Sequence, residues 1–104
     1  VIADIGVYIR EIWLVPGDKK VKAEDAVKQD DLVSRQSIKV KDASMYSSEK
    51  GFFIIIEGNE KSIHRADELL KEFGKKYPKK EEVLEKIDKE EEEANVGFGF
   101  IVGG

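Results

Sequence analysis

The chain has 104 residues, a length that suits one domain around one modest core. It is 40% hydrophobic and 38% charged with a net charge of −4, and that acidic balance disfavours nucleic acid as a partner, because a domain that binds it carries a basic face. The absence of cysteine excludes disulfides, thiolate metal sites, iron–sulfur clusters and cysteine nucleophiles.

Lys and Glu supply most of the charge, which is the bias of heat-adapted proteins. No apolar run approaches the roughly 20 residues that a membrane-spanning helix needs. The opening VIADIGVYIREIWLV carries Asp4, Arg10 and Glu11 within its apolar stretch and does not read as a signal peptide. A cytoplasmic protein is expected.

In IGVYIREIWLV, Ile5, Val7, Ile9, Trp13 and Val15 alternate with Gly6 and Arg10, although Tyr8, Ile12 and Leu14 are apolar too. This pattern predicts a long strand buried on one face and partly covered on the other, with a bulge or an edge position at Glu11. Pro16-Gly17-Asp18 ends it in a turn, Gly17 taking a positive φ. Ala23, Ala26 and Val27 predict a helix of roughly two turns. Ile38 and Val40 then alternate with Lys39 and Lys41 in a strand ending near Lys41, and DASMYSSEKG is a loop.

Five consecutive large apolar residues, Phe52 to Ile56, mark a central strand covered on both faces. A helix follows, with Asn59 as N-cap, Gly74 at C′ and Ile63, Ala66, Leu70 and Phe73 on one face. A second helix begins near Pro78. It is supported by the pairs Glu82/Lys86 and Glu85/Lys89 and has a thin apolar stripe of Val83, Leu84 and Ile87.

The closing NVGFGFIVGG places Val96, Phe98, Phe100 and Val102 on one face of a strand, and Gly97, Gly99, Gly103 and Ile101 on the other. A dinucleotide fingerprint needs a third glycine where Val102 stands. Read as an edge strand, the bare face of Gly97, Gly99 and Gly103 invites contact with another chain.

The expected order is β-α-β-β-α-α-β. This is an α+β, ferredoxin-like (split β-α-β) antiparallel sheet with helices on one face and an extra helix in the C-terminal half, forming a single domain over residues 1–104.

Three features carry candidate chemistry. His64, the only histidine, lies nearly opposite the apolar stripe of its helix and should face solvent, as neither a metal ligand nor a triad member. The run Lys89–Glu93 spreads its carboxylates around a helix at about 100° each and reads as a solvated helix end. KKYPKK holds Lys75, Lys76, Lys79 and Lys80. These suit phosphate or nucleic-acid contacts, or complement the C-terminal end of the preceding helix.

VYIREI, Val7 to Ile12, resembles the first-strand motif of the RNA-recognition-motif family. KGFFIIIE, Lys50 to Glu57, resembles its third-strand motif through Lys50, Gly51, Phe52 and Ile55. Phe53, Ile54 and Glu57 stand where the family has a small residue and two aromatics. The resemblance implies base stacking on Tyr8 and Phe52. IIIEGNEKSIHRADELL also resembles the final strand and helix of KH domains, without their G-x-x-G loop.

The leading expectation is a small non-enzymatic binding, regulatory or accessory-subunit module. It would use no cofactor or metal, contact another protein chain or a copy of itself through a sheet edge, and keep away from membranes. The alternative is an RNA-binding module using Tyr8 and Phe52.

Overall fold

The computed structural model describes residues 8–103, and side chains for residues 8–93. The strand positions expected at Ile5, Gly6 and Val7, and the side chains of Val96, Phe98, Phe100 and Val102, lie outside the described residues.

The architecture is α+β: a four-stranded antiparallel sheet in the order β2-β3-β1-β4, with three α-helices. The strands are β1 (Ile9–Val15), β2 (Ser37–Asp42), β3 (Phe52–Gly58) and β4 (Lys75–Lys76); the helices are α1 (Lys20–Gln29), α2 (Glu60–Leu70) and α3 (Lys80–Gly103).

β3 lies between β1 and β2, where its unbroken apolar run requires it to be. Successive side chains of a strand point to opposite faces, so that run feeds two cores. Ile54 and Ile56, with Trp13 and Val15 of β1, meet Ala23 and Val27 of α1 and Ile63, Ala66 and Leu70 of α2. Phe53 and Ile55, with Ile12, meet Val83, Leu84 and Ile87 of α3, together with Ala43 and Tyr46 from the β2–β3 connection. The helices therefore do not share one face: α3 covers the side opposite α1 and α2. Its thin apolar stripe is enough to cover the central residues of that face.

Several local expectations hold. The Asn59 side chain accepts a hydrogen bond from the Ser62 backbone N–H at 2.9 Å, which caps α2. Val83, Leu84 and Ile87 are buried, and His64 is exposed.

Others are corrected. β1 pairs with β3 without a bulge at Glu11, which sits opposite Ile56. Glu11 has no partner in β4, which pairs only with Trp13 and Leu14, and its carboxylate meets Lys80 at 3.0 Å. Pro16 leads into a 3-10 turn at Gly17–Lys19 that runs on into α1, a longer helix than expected. Gly17 therefore takes a negative φ, and the described glycine with positive φ is Gly51, at 107°. Gly74 is not a left-handed cap either; a Cβ there would lie 2.2 Å from the Leu14 carbonyl oxygen, so its role is close backbone approach.

The largest correction concerns the C-terminal segment. The last strand is Lys75–Lys76, ahead of α3, and the order becomes β-α-β-β-α-β-α. The strand expected over residues 95–104 does not form, because α3 runs through to Gly103. A nucleated helix gains one backbone hydrogen bond per added residue. The place beside β1 that a last strand of the expected plan would take is filled at Leu14 and Trp13 by Lys75 and Lys76.

Candidate functional site

Tyr8 and Phe52 are not brought together. Ile12 pairs with Ile55 and Val15 with Phe52, so even-numbered positions of β1 share a face with odd-numbered positions of β3. Tyr8 precedes β1 at the end where Ile9 meets Gly58, and Phe52 lies at the other end of the β1–β3 pairing, on the side of α1, where the Lys20 ammonium sits 5.0 Å from its ring. The aromatic on the α3 side of β3 is Phe53, and it is buried against Tyr77 with ring centroids 4.8 Å apart.

The basic cluster is divided as well. Lys75 and Lys76 point to opposite faces of β4 and line separate cavities. Lys79 is exposed. The Lys80 ammonium bonds the Arg10 carbonyl and the Glu11 carboxylate, each at 3.0 Å. Gly97, Gly99 and Gly103 fall on the helical backbone of α3 and not on a strand. His64 borders an open cavity with Glu60, Lys61, Asp67 and Lys76. Asp67 accepts a hydrogen bond from the buried Trp13 indole at 3.1 Å. Among the described residues, no three His, Cys, Asp or Glu side chains group as metal ligands.

The acidic run of α3 is more than a solvated helix end. Glu91 pairs with Lys39 of β2, and Glu90 accepts the Tyr46 hydroxyl at 2.8 Å and lies 3.9 Å from Lys41. Asp88 takes a two-pronged contact from Arg10 of β1. Lys86, expected to pair with Glu82 along the helix, donates instead to the Tyr46 carbonyl at 2.9 Å. Glu90 and burial together push the Tyr46 phenol up to about 12, and the Arg10 guanidinium holds Asp88 below the usual carboxylate range. Tyr46 and Arg10 were not singled out as functional by sequence reasoning. Tyr46 is the one aromatic in an aperiodic loop, and that was its only signal.

With both faces covered, what the sheet offers is its border. β4 is a two-residue edge, whereas β2 is a six-residue edge bonded to β3 on one side. Ile38 and Val40 lean on the α1/α2 core, and Lys39 and Lys41 reach the carboxylates of α3. Asp42 ends the strand by accepting from the Ser44 backbone N–H at 2.9 Å and its hydroxyl at 2.7 Å. Those bonds hold its carboxyl below the ordinary value. The outer backbone groups of Ser37–Asp42 form an extended row without a strand partner among the described residues.

No known protein-family model, curated protein or solved structure matches the chain. No helix among the described residues is long and apolar enough to cross a membrane.

Proposed function

We propose that the protein is a small non-enzymatic interaction module of the cytoplasm that associates with a second copy of itself by adding strand to strand along β2. The reading includes a ferredoxin-like split β-α-β plan, supported by the placement of β3 between β1 and β2 and of β1 between β3 and β4. The extra helix on the second face and the brevity of β4 are this chain's own variations on that plan.

The observation that carries the association is the open edge of β2. An unpaired edge six residues long presents a row of N–H and C=O groups ready for strand addition. Lysines on an edge normally oppose this. Here Lys39 and Lys41 are each matched by a carboxylate of α3, Glu91 and Glu90. Antiparallel pairing of two β2 strands that keeps the helical layers aligned sets lysine opposite lysine, and that internal neutralisation removes most of the repulsion.

Sedimentation over a concentration series tests the proposal, with Lys39→Pro and Val40→Pro as opposite-parity probes. Along an edge strand, alternate N–H groups point inward and outward. One substitution breaks a bond to β3 and destabilises the fold. The other removes an outward N–H, leaves the fold intact and weakens the dimer. A wild-type chain that stays monomeric at every concentration overturns the proposal.

A further inference from the structure

Beyond the β2 edge, one cavity draws its walls from three separate parts of the chain: the end of β1 (Leu14, Pro16, Gly17), the start of β3 (Lys50, Gly51) and the α2–β4 connection (Lys71 to Lys75). It encloses about 560 Å³. Its floor is backbone packed on backbone. A Cβ at Gly51 would lie 2.5 Å from the Val15 carbonyl oxygen, and one at Gly74 would lie 2.2 Å from that of Leu14. Leu14 and Phe73 give it half-buried apolar walls.

The charge of this cavity runs against that of the chain. Lys19, Lys50, Lys71 and Lys75 line it, against the single carboxylate of Glu72. Among the described residues none of these four lysines has an ion-pair partner, and neither do Lys22, Lys61, Lys76, Lys79, Lys86 and Lys89; what sets the four apart is that they converge on one cavity. Complementing the C-terminal end of α2 accounts for Lys71 and Lys75. It does not account for Lys19 or Lys50, which arrive from other elements.

We infer that this cavity binds a phosphorylated small molecule carrying an apolar group, its phosphate held among Lys19, Lys50, Lys71 and Lys75 and its apolar part against Leu14 and Phe73. Phosphate is favoured over carboxylate by the composition of the site. A planar carboxylate is matched best by the fork of an arginine, and no arginine lines this cavity. Several point-charge ammonium groups suit a dianion with three terminal oxygens.

Backbone amide NMR shifts during titration with phenyl phosphate test the site. The wild type is compared with a Lys50→Gln/Lys71→Gln double variant and with Lys22→Gln/Lys61→Gln, which removes the same charge from exposed positions outside the cavity. All the substituted side chains are exposed, so both variants keep the fold, which circular dichroism checks. The expected result is saturable shifts centred on Gly17, Gly51 and Gly74, affinity lowered about tenfold in the cavity variant, and little change in the control. Non-saturating shifts spread over the surface lysines, or an equal loss in both variants, overturn the assignment.

Discussion

Arg10 of β1 and Asp88 of α3 are joined by two parallel hydrogen bonds, Nη1 to Oδ1 at 2.8 Å and Nη2 to Oδ2 at 3.0 Å. They tie the last helix to a central strand across 78 positions of sequence. The geometry is the strong two-pronged one, but the side chains are 37% and 52% exposed, and water screens them. Asp88→Asn is expected to cost less than about 1 kcal/mol, and Ile87→Ala, at a residue only 2% exposed, about 2–5 kcal/mol. Because the carboxyl of Asp88 is held below its ordinary value, its contribution is present above the unfolded Asp pKa of about 4 and fades as pH falls through the folded value. Urea denaturation of the three proteins at neutral and at low pH measures both effects. Equal losses for the two variants would mean that the ionic clasp, and not the apolar stripe, holds α3 in place.

Adjacent residues of β3 report on the two layers separately. Ile54 is buried under α1 and α2, and Ile55 under α3. Each truncation to alanine should cost about 2–5 kcal/mol, whereas His64→Ala, at an exposed helical position, should stay within about 0.5 kcal/mol. An Ile55→Ala variant as stable as His64→Ala would mean that the second face is not covered in solution.

What was legible in the sequence followed from how local the deciding interaction is. The run Phe52 to Ile56 announced a doubly covered strand because burial on both faces leaves no polar position to mark a period. The Asn59 cap was legible because it bonds a residue three places along. The position of α3 was not, since a stripe of three apolar residues says that a helix is amphipathic and nothing about which sheet face it meets. Alternation of glycine with apolar residues after Asn95 imitates the period of a strand, yet the helix that precedes it extends through Gly103. Lys75 and Lys76 form a strand only because β1 holds them, so no sequence pattern could announce β4. The basic cavity is assembled from lysines up to 56 positions apart, Lys19 to Lys75, and only the fold places them side by side. The resemblance at Tyr8 and Phe52 rests on two short motifs, and their separation was not legible: Phe52 pairs with Val15 at one end of β1, and Tyr8 precedes Ile9 at the other.

Three glycines make a graded test of the backbone floor of the cavity. Gly51 has φ 107° and faces the Val15 carbonyl, so Gly51→Ala meets both conformational strain and a clash. It should cost well over about 1 kcal/mol. Gly74→Ala would push directly on the Leu14 carbonyl and separate β4 from β1, with a loss of about 1–3 kcal/mol. At Gly17 the nearest atom is a Phe52 ring carbon 3.9 Å away, an ordinary contact, and Gly17→Ala should stay within about 0.5 kcal/mol. Thermal melts rank the three variants. A Gly74→Ala protein as stable as Gly17→Ala would show that the close approach to β1 is dispensable.

Tyr46 gives α3 a signature at alkaline pH. The residue is 6% exposed, and its hydroxyl donates to Glu90 at 2.8 Å. Burial disfavours the phenolate, and the neighbouring carboxylates of Glu90 and Glu91 disfavour it further, so the phenol moves from 10.0 up to about 12. Between those two values the folded chain keeps a proton that the unfolded chain has already released. The stability that this group contributes is therefore fully present below pH 10.0 and is lost as pH rises through the window up to about 12. Tyr46→Phe removes that dependence, and at neutral pH it costs roughly 0.5–1.5 kcal/mol for the lost hydrogen bond. Tyrosinate absorbance followed through an alkaline titration should show a late component in the wild type that is missing from Tyr46→Phe. Urea midpoints across the same range should fall more steeply for the wild type than for the variant, so that the two curves converge. If the component missing from Tyr46→Phe ionises near pH 10, then the hydroxyl is in water, Glu90 is not beside it, and α3 is not seated over the β2–β3 connection.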